Sequence, residues 1–234
     1  MTRYDRRSIA LAIALSGLAG YVDAIGFLSL GNFFVSFMSG NSTRLAIALS
    51  EGRVEYGLLA IGVIALFVLG VIAGTLVSAR YPDRRRRAVL LLVASLLAVA
   101  SVLHALGFHR EATAAMLLAM GAENAVFQEG GEVSVGLTYM TGTLVKLGQR
   151  IAALIRGDRT RGWLPYALLW LGLVVGGTLG ALAHAAFATG GLWLGAAVAL
   201  VLALVPKRQR TSSREDSLES SFIETDGDLR AESG

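Results

Sequence analysis

Long apolar runs constrain this chain more than any other feature of it. Because a helix rises about 1.5 Å per residue, about 20 residues cross a hydrocarbon layer of about 30 Å. With 54% hydrophobic residues among 234, the chain is too apolar to hide in one soluble core. We therefore predict an all-α integral membrane protein. Six stretches are nearly free of charge, and the fourth and sixth cross only if neighbouring residues extend them: 9–30, 57–79, 88–107, 112–127, 163–187 and 190–206.

Basic residues orient the chain, since Lys and Arg gather in cytoplasmic loops. Segments 33–50 and 133–151 are each interpreted as a dip, a segment that enters the membrane and returns to the side from which it entered. Every basic cluster then falls on one side of the membrane, whereas eight full crossings would put residues 80–87 outside. We predict about six transmembrane helices plus two re-entrant or broken helices, multi-pass in the bacterial inner membrane, with both termini cytoplasmic. Asp23 replaces the small residues of a cleavage site, so the first helix is expected to be retained. The clusters are Arg3, Arg6 and Arg7; Arg80 and Arg84 to Arg87; Arg150, Arg156, Arg159 and Arg161; Lys207, Arg208 and Arg210.

Three motifs recur at an offset of about 102 residues. "VSFMSG" at 35–40 pairs with "LTYMTG" at 137–142, "GYVDA" at 20–24 with "GAENA" at 121–125, and "VIAGTL" with "VVGGTL" at 174–179. The membrane part is therefore predicted to be two repeats, 1–108 and 109–210. An odd number of crossings in each half makes the repeats inverted, as in many secondary transporters, whereas eight true crossings would make them parallel.

Each dip contains a polar cluster typical of a helix that starts inside the membrane. Such a start presents unpaired N–H groups and a partial positive charge to a ligand, and Asn41 or Ser42 is suited to cap it. Two starts near the midplane would form an electropositive pocket for a polar or anionic solute; the alternative is a pair of tight packing turns at Gly40 and Gly142. The predicted substrate-binding residues are Ser39, Gly40, Asn41, Ser42, Arg44, Thr141, Gly142, Thr143 and Lys146.

Acidic residues lie deep in two apolar runs. Asp23 is in the first, and Glu123 and Asn124 occupy the equivalent place in the second repeat. An ionisable group in the membrane costs about 3 kcal/mol, which favours a functional role. Two roles stay open: proton coupling during transport, or structural ion pairs of Asp23 with Arg44 and Glu123 with Lys146.

Residues 211–234 differ in composition, with seven acidic residues against two arginines, and are predicted to be a disordered acidic cytoplasmic tail. The net charge of +4 indicates anchoring against anionic lipid, so the bilayer and a small solute are the expected partners, with no nucleic acid. A homo-oligomer is left open. His104 and His184 are read as lone interfacial side chains, and neither a metal nor another cofactor is expected.

The stretches "GYVDAIGFLSLGNFFVSFMSGNSTRLA", "GAENAVFQ" and "TYMTGTLVKLGQ" resemble the YoaK-like family of bacterial membrane proteins, domain of unknown function 1275. The resemblance covers about residues 8–206, and "MSGN" and "TGTL" are its most specific segments. It implies a multi-span inner-membrane protein, often described with six spans. It implies no substrate.

The repeats, helix starts and buried acids favour a small secondary transporter or channel over an enzyme. A non-transporting sensor or assembly factor is the main alternative. A membrane-embedded hydrolase with Ser39 as nucleophile and His184 as base is disfavoured, because Ser39 lacks a serine-hydrolase surround. The sequence has no phosphate-binding GxxxxGK motif, so nothing in it indicates an ATP-driven pump.

Overall fold

A computed structural model describes residues 6–129, 132–133, 140–157 and 162–205. The helices in these ranges are α1 (Arg6–Ser29), α2 (Met38–Ser50), α3 (Val54–Arg80), α4 (Arg85–Ala105), α5 (His109–Glu123), α6 (Met140–Ile155), α7 (Leu164–Phe187) and α8 (Leu192–Leu204). Short 3-10 turns cover Pro82–Arg84, Asn124–Phe127 and Ala188–Gly191, and the strands β1 (Gln128–Glu129) and β2 (Glu132–Val133) pair antiparallel. The predicted all-α class is confirmed. The predicted acidic tail and residues 134–139 of the second dip lie outside the described residues.

The outer surface of the helices is suited to lipid. Four helical segments are long and apolar enough to cross a membrane: Arg7–Ser29, Val54–Arg80, Pro82–Ala105 and Leu164–Phe187. The shorter α8 is also apolar. Large apolar side chains stay exposed along α3 and α7, as at Leu69 and Leu179. Contiguous apolar exposure of this kind is rare on soluble proteins, so the structure is that of a membrane protein.

The helices of the two predicted repeats interleave within one compact unit, Met1–Leu204. Helix α1 packs most extensively on α7, and α3 packs most extensively on α5. Helix α5 also packs along α4, and its second half is buried almost all round. With 15 residues, α5 is only about 22 Å long. Because it is enclosed by other helices, it contacts little lipid and needs no continuous apolar surface.

Glycines bring the paired helix backbones together. A methyl group added at Gly176 would lie 1.9 Å from the carbonyl oxygen of Gly17, and one at Gly180 would lie 2.2 Å from that of Tyr21. The contacts advance in the same direction along both chains, so α1 and α7 are parallel. This is the close approach of backbones that small residues allow in membrane helices.

The same arrangement recurs between α3 and α5. A methyl group at Gly70 would lie 2.3 Å from the carbonyl oxygen of Leu118, and one at Gly74 would lie 2.6 Å from that of Ala122. Helices α3 and α5 are therefore also parallel. Their contact involves the same kind of backbone approach as the α1–α7 contact.

The end of α1 and the start of α3 lie at the same end of the bundle. Ser29, Tyr56 and His104 line one cavity there, together with the start of α8 at Leu192. Because α1 ends where α3 begins, the intervening residues leave that end of the bundle and return to it. This path is what the predicted first dip requires; the number of membrane crossings stays a prediction.

Candidate functional site

Asp23 folds the chain back after α1. Its Oδ1 accepts hydrogen bonds from the backbone N–H groups of Val35, at 2.7 Å, and Ser36, at 2.8 Å. Gly26, almost one helical turn further on, lies against the side chain of Val35, which is fully buried. The non-helical segment between α1 and α2 therefore runs back along α1, and α2 starts beside Asp23 instead of at the end of α1. The carboxylate satisfies two N–H groups that irregular backbone would otherwise leave unpaired.

Asn41 holds the same segment from the other side. Its side-chain amide donates to the carbonyl oxygen of Phe34 at 2.7 Å and accepts from the N–H of Phe34 at 3.0 Å. The predicted capping role of Asn41 or Ser42 is wrong: Phe37 is the N-cap and makes no side-chain cap bond, and the Ser42 hydroxyl donates to the Met38 carbonyl. The first turn of α2 thus lacks a side-chain N-cap bond.

Arg44 lies on aromatic rings. Its guanidinium carbon is 5.5, 5.7 and 5.2 Å from the ring centres of Phe27, Phe33 and Phe34. Asp23 instead binds backbone N–H groups, so the predicted Asp23–Arg44 ion pair is wrong. The reason is that the dip brings its own N–H groups to Asp23, while three rings of α1 and the dip supply the cation–π surface for Arg44.

The second helix start, at α6, lies against the same face of α1 as the first. Met140 Sδ is 4.0 Å from the hydroxyl of Ser16, which donates to the carbonyl of Leu169. Ser16 and Asp23 are seven residues apart, so they share a face of α1 at a separation of about 10 Å. The structure therefore brings both predicted helix starts to one helix face.

The predicted site residues differ in what surrounds them. Asn41 and Thr143 are buried, Gly40 and Arg44 are half-buried, and the remaining ones are exposed: Ser39, Ser42, Thr141, Gly142 and Lys146. Gly40 faces the rings of Phe34 and Phe37, whereas a methyl group at Gly142 would meet no described residue within 4 Å. Gly40 thus packs closely within the first turn of α2, and the alternative of two tight packing turns stays a prediction.

Glu123 is fully buried at the end of α5, and neither of its carboxyl oxygens has a hydrogen-bond partner among the residues that the structure describes. The predicted Glu123–Lys146 ion pair is wrong, because Lys146 is exposed while Glu123 is enclosed in the core. The neighbouring Asn124 donates to the carbonyl of Met120 at 3.0 Å. A buried, unpaired carboxylate costs several kcal/mol, so Glu123 is a strong candidate for carrying a proton or meeting a cation.

Sequence reasoning missed a histidine pair at the end of the bundle where α1 ends. The Nδ1 atoms of His104 and His109 are 2.9 Å apart, so His104 is not a lone side chain. His184 lies close enough to His104 for their charges to interact. The sequence could have indicated this pair, because His104 and His109 flank the short turn between α4 and α5. A helical hairpin brings together residues on either side of its turn.

The fold and these residues define a polytopic helical membrane protein with a non-helical dip held by a buried Asp and a buried Asn. The chain belongs to the family described as "Protein of unknown function (DUF1275)", whose model matches residues 11–205. This agrees with the resemblance to the YoaK-like family.

Two curated relatives are transmembrane proteins by name. The chain is similar to "UPF0700 transmembrane protein RA0705" of Rhizobium meliloti (strain 1021), at 39% identity over 83% of this chain and 84% of the relative. It is also similar to "UPF0700 transmembrane protein YoaK" of Bacillus subtilis (strain 168), at 28% identity over 65% of this chain and 70% of the relative. No solved structure matches the chain significantly.

Proposed function

We propose that this protein is a small secondary transporter or channel for a polar or anionic solute, and not an enzyme. It resides in the bacterial inner membrane with both termini cytoplasmic. The solute binds between the starts of α2 and α6, and Glu123 or Asp23 takes part in coupling.

The observation that carries the proposal is that each half of the chain packs its first helix against a helix of the other half. In the predicted repeat α1 corresponds to α5, and α3 corresponds to α7. Each half's first spanning helix packs in parallel on the other half's third segment. A methyl group added at Gly20 would lie 2.2 Å from the carbonyl oxygen of Leu173. One at the corresponding Gly121 would lie 2.2 Å from the carbonyl oxygen of Phe67 and 3.0 Å from Gly70, which precedes Leu173 by about 102 residues. Matching contacts of this kind are expected when two repeats are related by a pseudo-two-fold axis, as in transporters that alternate access.

The direction of α8 supports the inverted form of the repeat. Leu192 lies at the cavity with His104, whereas Gly195, one turn along α8, lies beside Leu97 of α4. Helices α4 and α8 are therefore antiparallel. Eight full crossings would make them parallel, while six crossings and two dips make them antiparallel, so the contact favours six.

The proposed solute site follows from the start of α2. Its first turn lacks a side-chain cap, so its N–H groups and partial positive charge remain available to an anion. Lys146 is exposed nearly two turns into α6, on a helix whose start lies along the same face of α1. The two starts thus supply the polar groups that an anionic solute needs inside a membrane.

Uptake into proteoliposomes tests the function directly. The purified chain would be given a panel of inorganic anions, small carboxylates and nucleobase-like heterocycles, with and without a proton gradient. We expect one member to accumulate above empty liposomes. Lys146→Ala should lower its uptake about tenfold through loss of a charged contact, and Glu123→Gln should remove the response to the gradient.

Arg156→Ala is the matched control, since Arg156 is an exposed cation just beyond the end of α6. It should transport like the wild type. If the folded protein moves no member of the panel, the transporter proposal fails and the sensor or assembly-factor alternative takes its place.

A further inference from the structure

A large cavity lies at the end of the bundle where α1 ends. Its volume is about 1130 Å³, enough for a small organic molecule. Most of its wall is apolar, including Leu30, Phe33, Leu59, Val63, Leu66 and Leu117. A ligand that fills this wall needs a sizeable apolar body.

The rim of the cavity is polar and carries side chains of both charges. It includes Arg53, Glu55, His104, His109 and Arg110. Arg53 is neutralised, because its Nε lies 2.6 Å from the carboxylate of Glu51. Arg110 is exposed and forms no ion pair with any residue in the described ranges, so its charge is available to a ligand.

Two helix starts contribute positive potential to the rim. The first turns of α3 and α5 both line the cavity, and neither N-cap, Arg53 nor Phe108, makes a side-chain cap bond. A helix start carries about half a positive charge. Glu55 on the rim and Glu111 in the first turn of α5 oppose this potential in part.

The histidine pair belongs to the same rim. A contact of 2.9 Å between the two Nδ1 atoms requires one imidazole to donate and the other to accept, so at least one of the two rings is neutral in this arrangement. The exposed His109 therefore has its Nε2 edge available to a ligand, while Nδ1 is engaged with His104.

We propose that this cavity binds an amphiphilic anion, with its apolar body against the Leu and Phe wall and its carboxylate or phosphate held at the rim by Arg110 and His109. The anion is either a water-soluble apolar carboxylate or an anionic lipid headgroup with its chain. Binding is separate from translocation, so this site stands or falls independently of the transporter proposal.

Calorimetry on the full chain in phosphatidylcholine nanodiscs tests whether the ligand is a water-soluble apolar carboxylate. The probe is 3-phenylpropionate, and the neutral 3-phenylpropionamide is the matched ligand without charge. We expect the acid to bind more tightly than the amide, and Arg110→Gln to weaken the acid about tenfold. Glu55→Gln should tighten binding, because it removes a negative charge from the rim. Arg87→Gln, an exposed arginine at the opposite end of α4, is the control and should bind like the wild type.

Nanodiscs containing phosphatidylglycerol test whether the ligand is an anionic lipid. If an anionic lipid occupies the cavity, it should raise the melting temperature of the wild type and of Arg87→Gln, but not that of Arg110→Gln. His109→Gln supplies a second rim variant if Arg110→Gln is poorly folded. The proposal is overturned if neither the acid nor the lipid shows an effect that depends on Arg110 or His109, whatever the uptake assay gives.

Discussion

At the scale of single residues, the dip is held by two side chains whose chemistry fits the backbone they meet. Asp23 offers a carboxylate oxygen to two N–H groups. Asn41 offers one donor and one acceptor to the two polar groups of the Phe34 peptide unit. An amide carries a donor and an acceptor side by side, so it matches the N–H and C=O groups of one residue.

Replacing Asp23 distinguishes this role from an ion pair. Asp23→Asn keeps the side-chain carbonyl that accepts from Val35 and Ser36, whereas Asp23→Ala leaves both N–H groups unpaired. We expect Asp23→Ala to lower the unfolding free energy by about 2 kcal/mol or more, and Asp23→Asn to lower it by less. Thermal unfolding in detergent measures both. Arg44→Ala is the comparison: if it rescues Asp23→Ala, the two side chains are coupled after all.

At the scale of helices, the bundle depends on two pairs of parallel helices. In each pair the backbones touch with no side chain between them. Gly17 and Gly176 bring α1 against α7, and Gly70 and Gly121 bring α3 against α5. The spacing of glycines in the apolar runs is visible in the sequence, but their partners are far away along the chain. Packing at this distance leaves no room for a methyl group, so these positions are the most sensitive in the helices.

Gly176→Ala is therefore expected to destabilise the protein. The added methyl group would lie 1.9 Å from a backbone carbonyl oxygen, which only a shift of a whole helix can relieve, at a cost of about 1–3 kcal/mol. Gly148→Ala in α6 meets nothing within 4 Å and should stabilise by about 0.5–1 kcal/mol through helix propensity. Melting temperatures of the two variants should move in opposite directions; equal shifts would contradict the packing argument.

At the scale of the whole molecule, one end of the bundle gathers the end of α1, the starts of α3, α5 and α8, and the end of α4. The turn at Pro82–Arg84 lies at the other end of α3 and α4. This distribution makes the first dip return to the side from which it came. The wide cavity opens at the end of the bundle where α1 ends.

Cysteine labelling in cells tests this topology, since the chain has no native cysteine. Glu51→Cys and Glu111→Cys should react with a membrane-impermeant maleimide in intact cells. Asp83→Cys and Arg156→Cys should react only after permeabilisation. Labelling of Asp83→Cys in intact cells would place the arginine-rich loop outside and contradict both the six-crossing topology and the inverted repeat.

The sequence by itself determined the class of protein and the family, because hydrophobic length and the "MSGN" and "TGTL" motifs are local properties. It also singled out Asp23, Asn41 and Glu123, since polar groups in apolar runs need a reason. The tertiary structure decided which partners they have: Asp23 meets backbone N–H groups in place of Arg44, and Glu123 has no hydrogen-bond partner in the described part of the chain. Those pairings depend on where a non-local segment folds back, and several partners of similar charge and size are compatible with the same sequence.

The cavity and its histidine pair were decided by the tertiary structure for the same reason. Its wall comes from α1, α3, α5 and α8, whose residues are far apart in the chain, and nothing in any single apolar run separates a cavity-lining Leu from a lipid-facing one. Helix formation in this protein follows from local hydrophobicity and backbone hydrogen bonding. The shape of the space between helices follows from which glycines meet which carbonyls, and that is settled only when the whole bundle packs.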